Sequence, residues 1–168
     1  PGIQTCLPDF ITQINSHLAF AGKQDERLTR LKHYKVLERK HKSRGSFSSN
    51  DEFLKQSGIK ISIITEDLIQ YKDRIAELIE RTNQLNFTKK RIDDSELTRL
   101  LSGNKFNCSV YKVYDRYGDY GLIGFSAVED KEHRLEHYLF SCRILNLGIE
   151  AFVFHSLGRP NLDIMGEV

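Results

Sequence analysis

Apolar positions along the chain follow two regimes that meet near Gly58. Before it they are sparse and helical in spacing. Phe10, Ile11, Ile14 and Leu18 share one side of a short helix that Pro8 can open, because proline suits a first helical turn. Leu28, Leu31, Tyr34 and Leu37 step by three along Asp25 to Lys42 and drift around the axis, which predicts a surface helix with a broad, weak apolar stripe. The polar break "SRGSFSSN" reads as a linker. Ser49 with Glu52 forms a capping-box pattern opening a short helix that Gly58 stops.

After Gly58 the pattern becomes that of a mixed α/β domain. "IKISII" (59 to 64) is a β-branched run of strand length. Leu68, Tyr71, Ile75, Leu78, Ile79 and Thr82 then recur at the strongest helical period in the chain. "DDSELTRLLSG" predicts a second helix, with Asp93 and Glu96 as capping box and Gly103 as stop. Three strands follow, "FNCSVYKVYD", "YGLIGFSAV" and "RLEHYLFS", joined by a tight turn around Tyr117, Gly118 and Asp119 and by "EDKEH". A last helix covers roughly Leu147 to Leu157, and "LDIMGEV" reads as one further strand, cut short. The expected order is β-α-α-β-β-β-α-β, an α+β mixed sheet. It is the order of an acyl-CoA N-acyltransferase (GNAT) domain without its last elements.

Composition narrows the class. With 39% apolar residues, ten Phe and seven Tyr in 168 residues, a real core is available. No apolar run approaches the ~18 residues that cross a bilayer, so no membrane association is expected. Cys6, Cys108 and Cys142 form no C-x-x-C pair, which encodes neither a disulfide framework nor a zinc knuckle and makes a reducing cytoplasm the default. The net charge of +2 hides an asymmetry: Lys23 to Arg44 holds nine Lys/Arg against three Asp/Glu. That helix has Tyr34 as its one aromatic and matches no nucleic-acid module, so it reads as an interdomain helix or a docking face for an acidic protein.

Two stretches carry candidate chemistry. In "SCRILNLGIE" (141 to 150) a strand gives way to a helix, a turn that can aim backbone N–H groups and a positive helix end at a pyrophosphate. Arg143, Asn146, Leu147 and Gly148 are its candidate cofactor-binding residues. "RTNQLNFTKKR" (81 to 91) is too polar for a core and too organised for a linker. In a GNAT-like domain, which the element order resembles, Asn83, Gln84, Asn86 and Thr88 would follow the first helix and face the cleft where donor and acceptor meet, and Lys89, Lys90 and Arg91 could meet an acidic partner surface or a phosphate. A buried amide network that shapes a loop explains the same residues equally well. Cys142 is the candidate nucleophile, since a thiolate at a helix N-terminus has a lowered pKa, but no base partner is identifiable. Asp115 and Asp119 are candidate substrate-binding residues that can also simply cap the hairpin turn. His133 and His137 lie four apart on a strand, about 13 Å, too far to share a metal, and no metal is expected.

Taken together, "RTNQLNFTKKR", "DRYGDYGLIG" (115 to 124) and "FSCRILNLGIE" (140 to 150), in this order and spacing, resemble the C-terminal half of the FkbH-like family, in which a haloacid-dehalogenase (HAD) type domain precedes a GNAT-like domain. The upstream "DERLTRLKHYKVLERK" and "SSNDEFLKQSGIKISI" look like that family's connecting helices. The resemblance implies residues 1–48 as the end of the HAD-type domain with its connecting helices, and 49–168 as a GNAT-like domain lacking its last elements. It implies transfer of an acyl or glyceryl group to the thiol of an acyl carrier protein, as for methoxymalonyl-type extender units. The phosphopantetheine arm or a CoA thioester would be held by the turn Arg143–Gly148 and the strand before it. Asn146 stands where the family's Arg/Gln-x-x-Gly-x-Gly/Ala pattern has glycine. The Asp-x-Asp-x-Thr-like phosphatase element is absent from this chain, so phosphatase chemistry is expected upstream of Pro1. Two alternatives are a noncatalytic carrier-protein-binding module and a conventional acetyl-CoA-dependent N-acetyltransferase.

Overall fold

A computed structural model of the chain describes residues 29–166. The chain separates into two compact units, Pro1–Lys35 and Val36–Val168. Of the first, the described residues are the opening turns of helix α1 (Thr29–Arg44). The helix expected from Pro8, Leu28 and the side chains of Leu31 and Tyr34 lie outside the described residues.

The second unit begins within α1. Helix α2 (Asn50–Ser57) opens at Ser49, whose side chain accepts the Glu52 amide, and closes on Gly58 in the left-handed conformation at φ 60°. Strand β1 (Lys60–Ile64) follows. The long helical stripe then divides into a 3-10 turn (Leu68–Tyr71) and helix α3 (Lys72–Arg81), which buries Ile75, Leu78 and Ile79. Helix α4 (Asp94–Ser102) has both halves of the capping box between Asp93 and Glu96. It stops at Gly103, although not by left-handed backbone: φ is −88°, and a Cβ there would stand 2.9 Å from the Arg99 carbonyl oxygen.

Strands β2 (Phe106–Asp115), β3 (Gly118–Glu129) and β4 (Arg134–Phe140) complete a four-stranded antiparallel sheet of order β1-β2-β3-β4. A 3-10 turn (Cys142–Ile144) leads into helix α5 (Ile149–Ser156), shorter at both ends than its apolar pattern suggests. The expected strand from Leu162 is not formed among its described residues, 162–166. One parallel bridge joins Asn161 to Arg134, and the Met165 amide bonds the Phe87 carbonyl.

Both faces of the sheet are covered, and the two-residue period of the strands sorts the core. Val110, Phe125 and Leu139 face Ile75, Leu78, Ile79, Leu97 and Leu100 of α3 and α4. Tyr111, Ile123, Tyr138 and Phe140 face the other way and cluster with Val36, Leu85, Ile149 and Val153. This two-sided burial explains why β3 reads as an almost unbroken apolar run rather than an alternating one. At Gly124 the sheet has no room for a side chain: a Cβ would lie 2.4 Å from the Phe140 ring and 3.1 Å from the Tyr111 ring. Helix α1 is less superficial than expected, because Val36 and Lys40 are both buried.

Candidate functional site

The turn after β4 is built by backbone. The Ser141 side chain accepts the Arg143 amide, and Asn146 and Gly148 take left-handed conformations at φ 62° and 68°. Asn146 thus adopts a conformation that glycine reaches without strain and asparagine tolerates better than most residues. Gly148 is the N-cap of α5 and offers no side chain to it. Arg143 turns inward, its Nη1 donating to the Tyr120 carbonyl at 2.8 Å and its Nε to Ser141 Oγ at 3.0 Å. Burial lowers its guanidinium pKa to about 10. Cys142 is exposed.

Against this turn lies a cleft of about 270 Å³. Its walls are Leu37, Lys40, His41 and Arg44 of α1, Asn50 and Phe53 of α2, and Arg143, Leu145, Asn146 and Leu147. Two arginines, a lysine, a histidine and two amides line it without a carboxylate. Arg143, Asn146 and Leu147 are joined here by residues the sequence analysis had not assigned to a site, Lys40, His41 and Arg44 among them. A signal was present: Leu37, Lys40, His41 and Arg44 are spaced to share one helix face.

Behind the cleft, Lys40 is part of a buried polar trio. Its Nζ donates to Asp115 Oδ2 and to the Tyr120 hydroxyl, both at 2.9 Å, and Tyr120 donates to the same carboxylate oxygen at 2.7 Å. Asp115 Oδ1 accepts the amides of Tyr117 at 2.8 Å and Gly118 at 3.3 Å. One carboxylate, fully buried, therefore closes the β2–β3 turn and pins helix α1 over it. Burial lowers the Lys40 pKa, opposed by its bond to Asp115, and raises that of Tyr120. Asp119 accepts the Gly121 amide at 2.7 Å and is exposed. Neither aspartate lines the basic cleft.

Residues 81–91 go elsewhere. Arg91 donates to the carbonyls of Ile79 and Thr82 and to Asn83 Oδ1, so it caps the C-terminus of α3. Lys89 binds the Asn83 carbonyl, and Lys90 pairs with Glu136 at 2.7 Å. The three cations assigned to a partner surface are engaged within the fold, Arg91 and Lys89 by carbonyls at and just past the end of α3 and Lys90 by a carboxylate of β4. Asn83 and Gln84 are exposed, whereas Asn86 and Thr88 are buried. Between them the backbone runs antiparallel to β4: Phe87 N–H bonds the Tyr138 carbonyl at 3.0 Å and Phe140 N–H the Leu85 carbonyl at 2.8 Å. This strap takes the outer edge of β4 beside Tyr138 to Phe140, the edge to which a pantetheine arm had been assigned.

The polar cleft at the start of β2 includes Asp67, Asn107, Cys108 and Ser109, and Asn83 lines neither cleft. The Cys108 thiol is buried and pushed up to about 12, which makes it a poor nucleophile. His137 is buried in β4, whereas His133 sits in the preceding turn at φ 47°. Among the described residues, no three His, Cys, Asp or Glu side chains gather as metal ligands, and no helix is long and apolar enough to cross a membrane. Comparison of the chain with protein-family models, curated proteins and solved structures gives no match.

Proposed function

We propose that this chain is a GNAT-like domain of the FkbH-like kind whose basic cleft binds the phosphate end of a carrier protein's phosphopantetheine arm or of a CoA thioester. By holding that arm it serves transfer of an acyl or glyceryl group to the carrier thiol, with phosphatase chemistry supplied by an upstream HAD-type domain. The observation that carries this reading is the lining of the cleft: Lys40, His41, Arg44 and Arg143 with two asparagine amides, no carboxylate, and the left-handed backbone of Asn146 in its wall. A cleft lined by cationic and amide side chains suits a phosphate oxygen better than an apolar or cationic ligand. The element order β-α-α-β-β-β-α and the antiparallel meander are compatible with a GNAT-like arrangement.

Binding is favoured over covalent catalysis by this domain. The outer edge of β4 is hydrogen-bonded to Leu85 and Phe87, so the arm does not add there as an extra strand. Cys142 is exposed and does not line the cleft. Arg44 is the ligand contact and Arg143 the residue that shapes the turn.

Calorimetric titration of the chain with phosphopantetheine tests the reading. Arg44→Glu is expected to weaken binding at least about tenfold, corresponding to 1.4 kcal/mol. Unchanged affinity in that variant, or no binding by the unaltered chain, overturns it. Single-turnover assays with preloaded donor separate binding from transfer, because a binding module alone leaves the donor thioester intact.

A further inference from the structure

Beside β4 three side chains are buried with polar atoms that no protein group satisfies: Asn86 Nδ2, Thr88 Oγ1 and both ring nitrogens of His137. Asn86 and His137 are 0% exposed and Thr88 is 3% exposed. Two contacts bring them together. Asn86 pairs with Leu139 across an antiparallel bridge, and Lys90 reaches Glu136 at 2.7 Å. Thr88 lies between the first members of these pairs and His137 between the second, so the two run side by side. Asn86 Oδ1 is already committed to the Lys89 amide at 3.0 Å, which leaves Nδ2 as the end still to be paired.

An unpaired buried polar group is destabilising, because it has lost its bonds to solvent and gained none in the fold. Folded proteins meet such a cost with ordered water, which typically makes about three hydrogen bonds inside a polar site. We propose that the side chains of Asn86, Thr88 and His137 form a binding site for an internal water molecule on the buried face that residues 86–88 share with β4. The three side chains match its bonding capacity, with the water meeting one of the two diverging ring nitrogens of His137. The Asn86 amide donates, the Thr88 hydroxyl can donate or accept, and a neutral imidazole presents one donor and one acceptor. Water offers two of each. The nearby hydrocarbon of Phe125 and Leu139 cannot compete for these bonds. Asn86 and Thr88 then hold solvent within the fold rather than a substrate in an open cleft.

Thr88→Val tests the site through a sign. If water is bound there, removing the hydroxyl while keeping the shape breaks the network, and Tm falls by a few degrees. If the site is dry, the same change removes an unsatisfied hydroxyl, and Tm stays or rises, which overturns the proposal. A second measurement uses the unaltered chain and does not depend on that variant folding. Water-to-protein NOEs at the Asn86 side-chain amide, with a hydrogen-bonded acceptor shift at one His137 nitrogen, are expected. A direct Thr88–His137 hydrogen bond without a water NOE overturns the proposal.

Discussion

Arg91 and His137 show how far a polar side chain's role depends on what the fold places beside it. Arg91 is an exposed residue whose guanidinium nevertheless rests on the last carbonyls of α3. Arg91→Met is expected to destabilise the domain by about 1 kcal/mol, the net value of a modest hydrogen-bond cap, and to leave phosphopantetheine affinity unchanged. Urea titration with parallel calorimetry checks both, and an intact midpoint with weakened binding would return Arg91 to the recognition role. His137 makes a pH prediction. Burial holds its pKa down to about 4 from the usual 6.5, so the unfolded chain binds the extra proton first. Its contribution is therefore fully present above about pH 6.5 and is lost as pH falls toward 4, on the order of 3 kcal/mol in all. His137→Gln should flatten this part of the profile. Equal losses between pH 7 and pH 4.5 in both proteins would show that other groups, not this imidazole, govern the acid limb.

Helix α1 docks through a buried ion pair and a glycine, and both are open to test. Its Val36 packs where a Cβ at Gly118 would lie 2.6 Å away, and Lys40 meets Asp115 below it. Lys40→Met leaves a buried carboxylate without its cation and is expected to cost about 3–5 kcal/mol, whereas Lys40→Met with Asp115→Asn should recover most of that. Additive losses in the double-mutant cycle would refute the pairing. Gly124→Ala, with its Cβ driven against the Phe140 ring, should cost roughly 2–3 kcal/mol by overpacking. The elements themselves were largely legible. Ser49, Asp93 and Gly58 act through neighbours within a few residues, and the strands β1 to β4 through short β-branched and apolar runs bounded by turns, so their signals sit in adjacent sequence. Lys40 was not legible as a buried residue, because nothing near it announces a carboxylate 75 residues away. The split at Tyr71 was hidden too, since the apolar spacing stays helical while the backbone passes from a 3-10 turn into an α-helix.

At the scale of the molecule the question is whether the outer edge of β4 belongs to the fold or to a ligand. The sequence assigned polar residues 83–91 to recognition because their composition is that of a binding loop. Distant strand pairing turns Leu85 into the core and buries Asn86 beside β4, while Asn83 and Gln84 stay exposed. The candidate cleft was half visible for the same reason: the turn Arg143–Gly148 is contiguous, while its partners Lys40, His41 and Arg44 come from a helix some hundred residues earlier. If the strap is part of the cooperative core, the amides of Phe87 and Phe140 should exchange with solvent as slowly as those in the middle of β2 and β3, through global unfolding. The buried Leu85 and Asn86 beside those bonds make local opening costly, since it would expose an apolar side chain and unseat the Asn86–Leu139 bridge together. Hydrogen exchange followed by NMR checks this directly. Exchange of Phe140 much faster than of Val110 or Phe125 would mean that the strap lifts independently, and the edge of β4 would again be open to an extended arm.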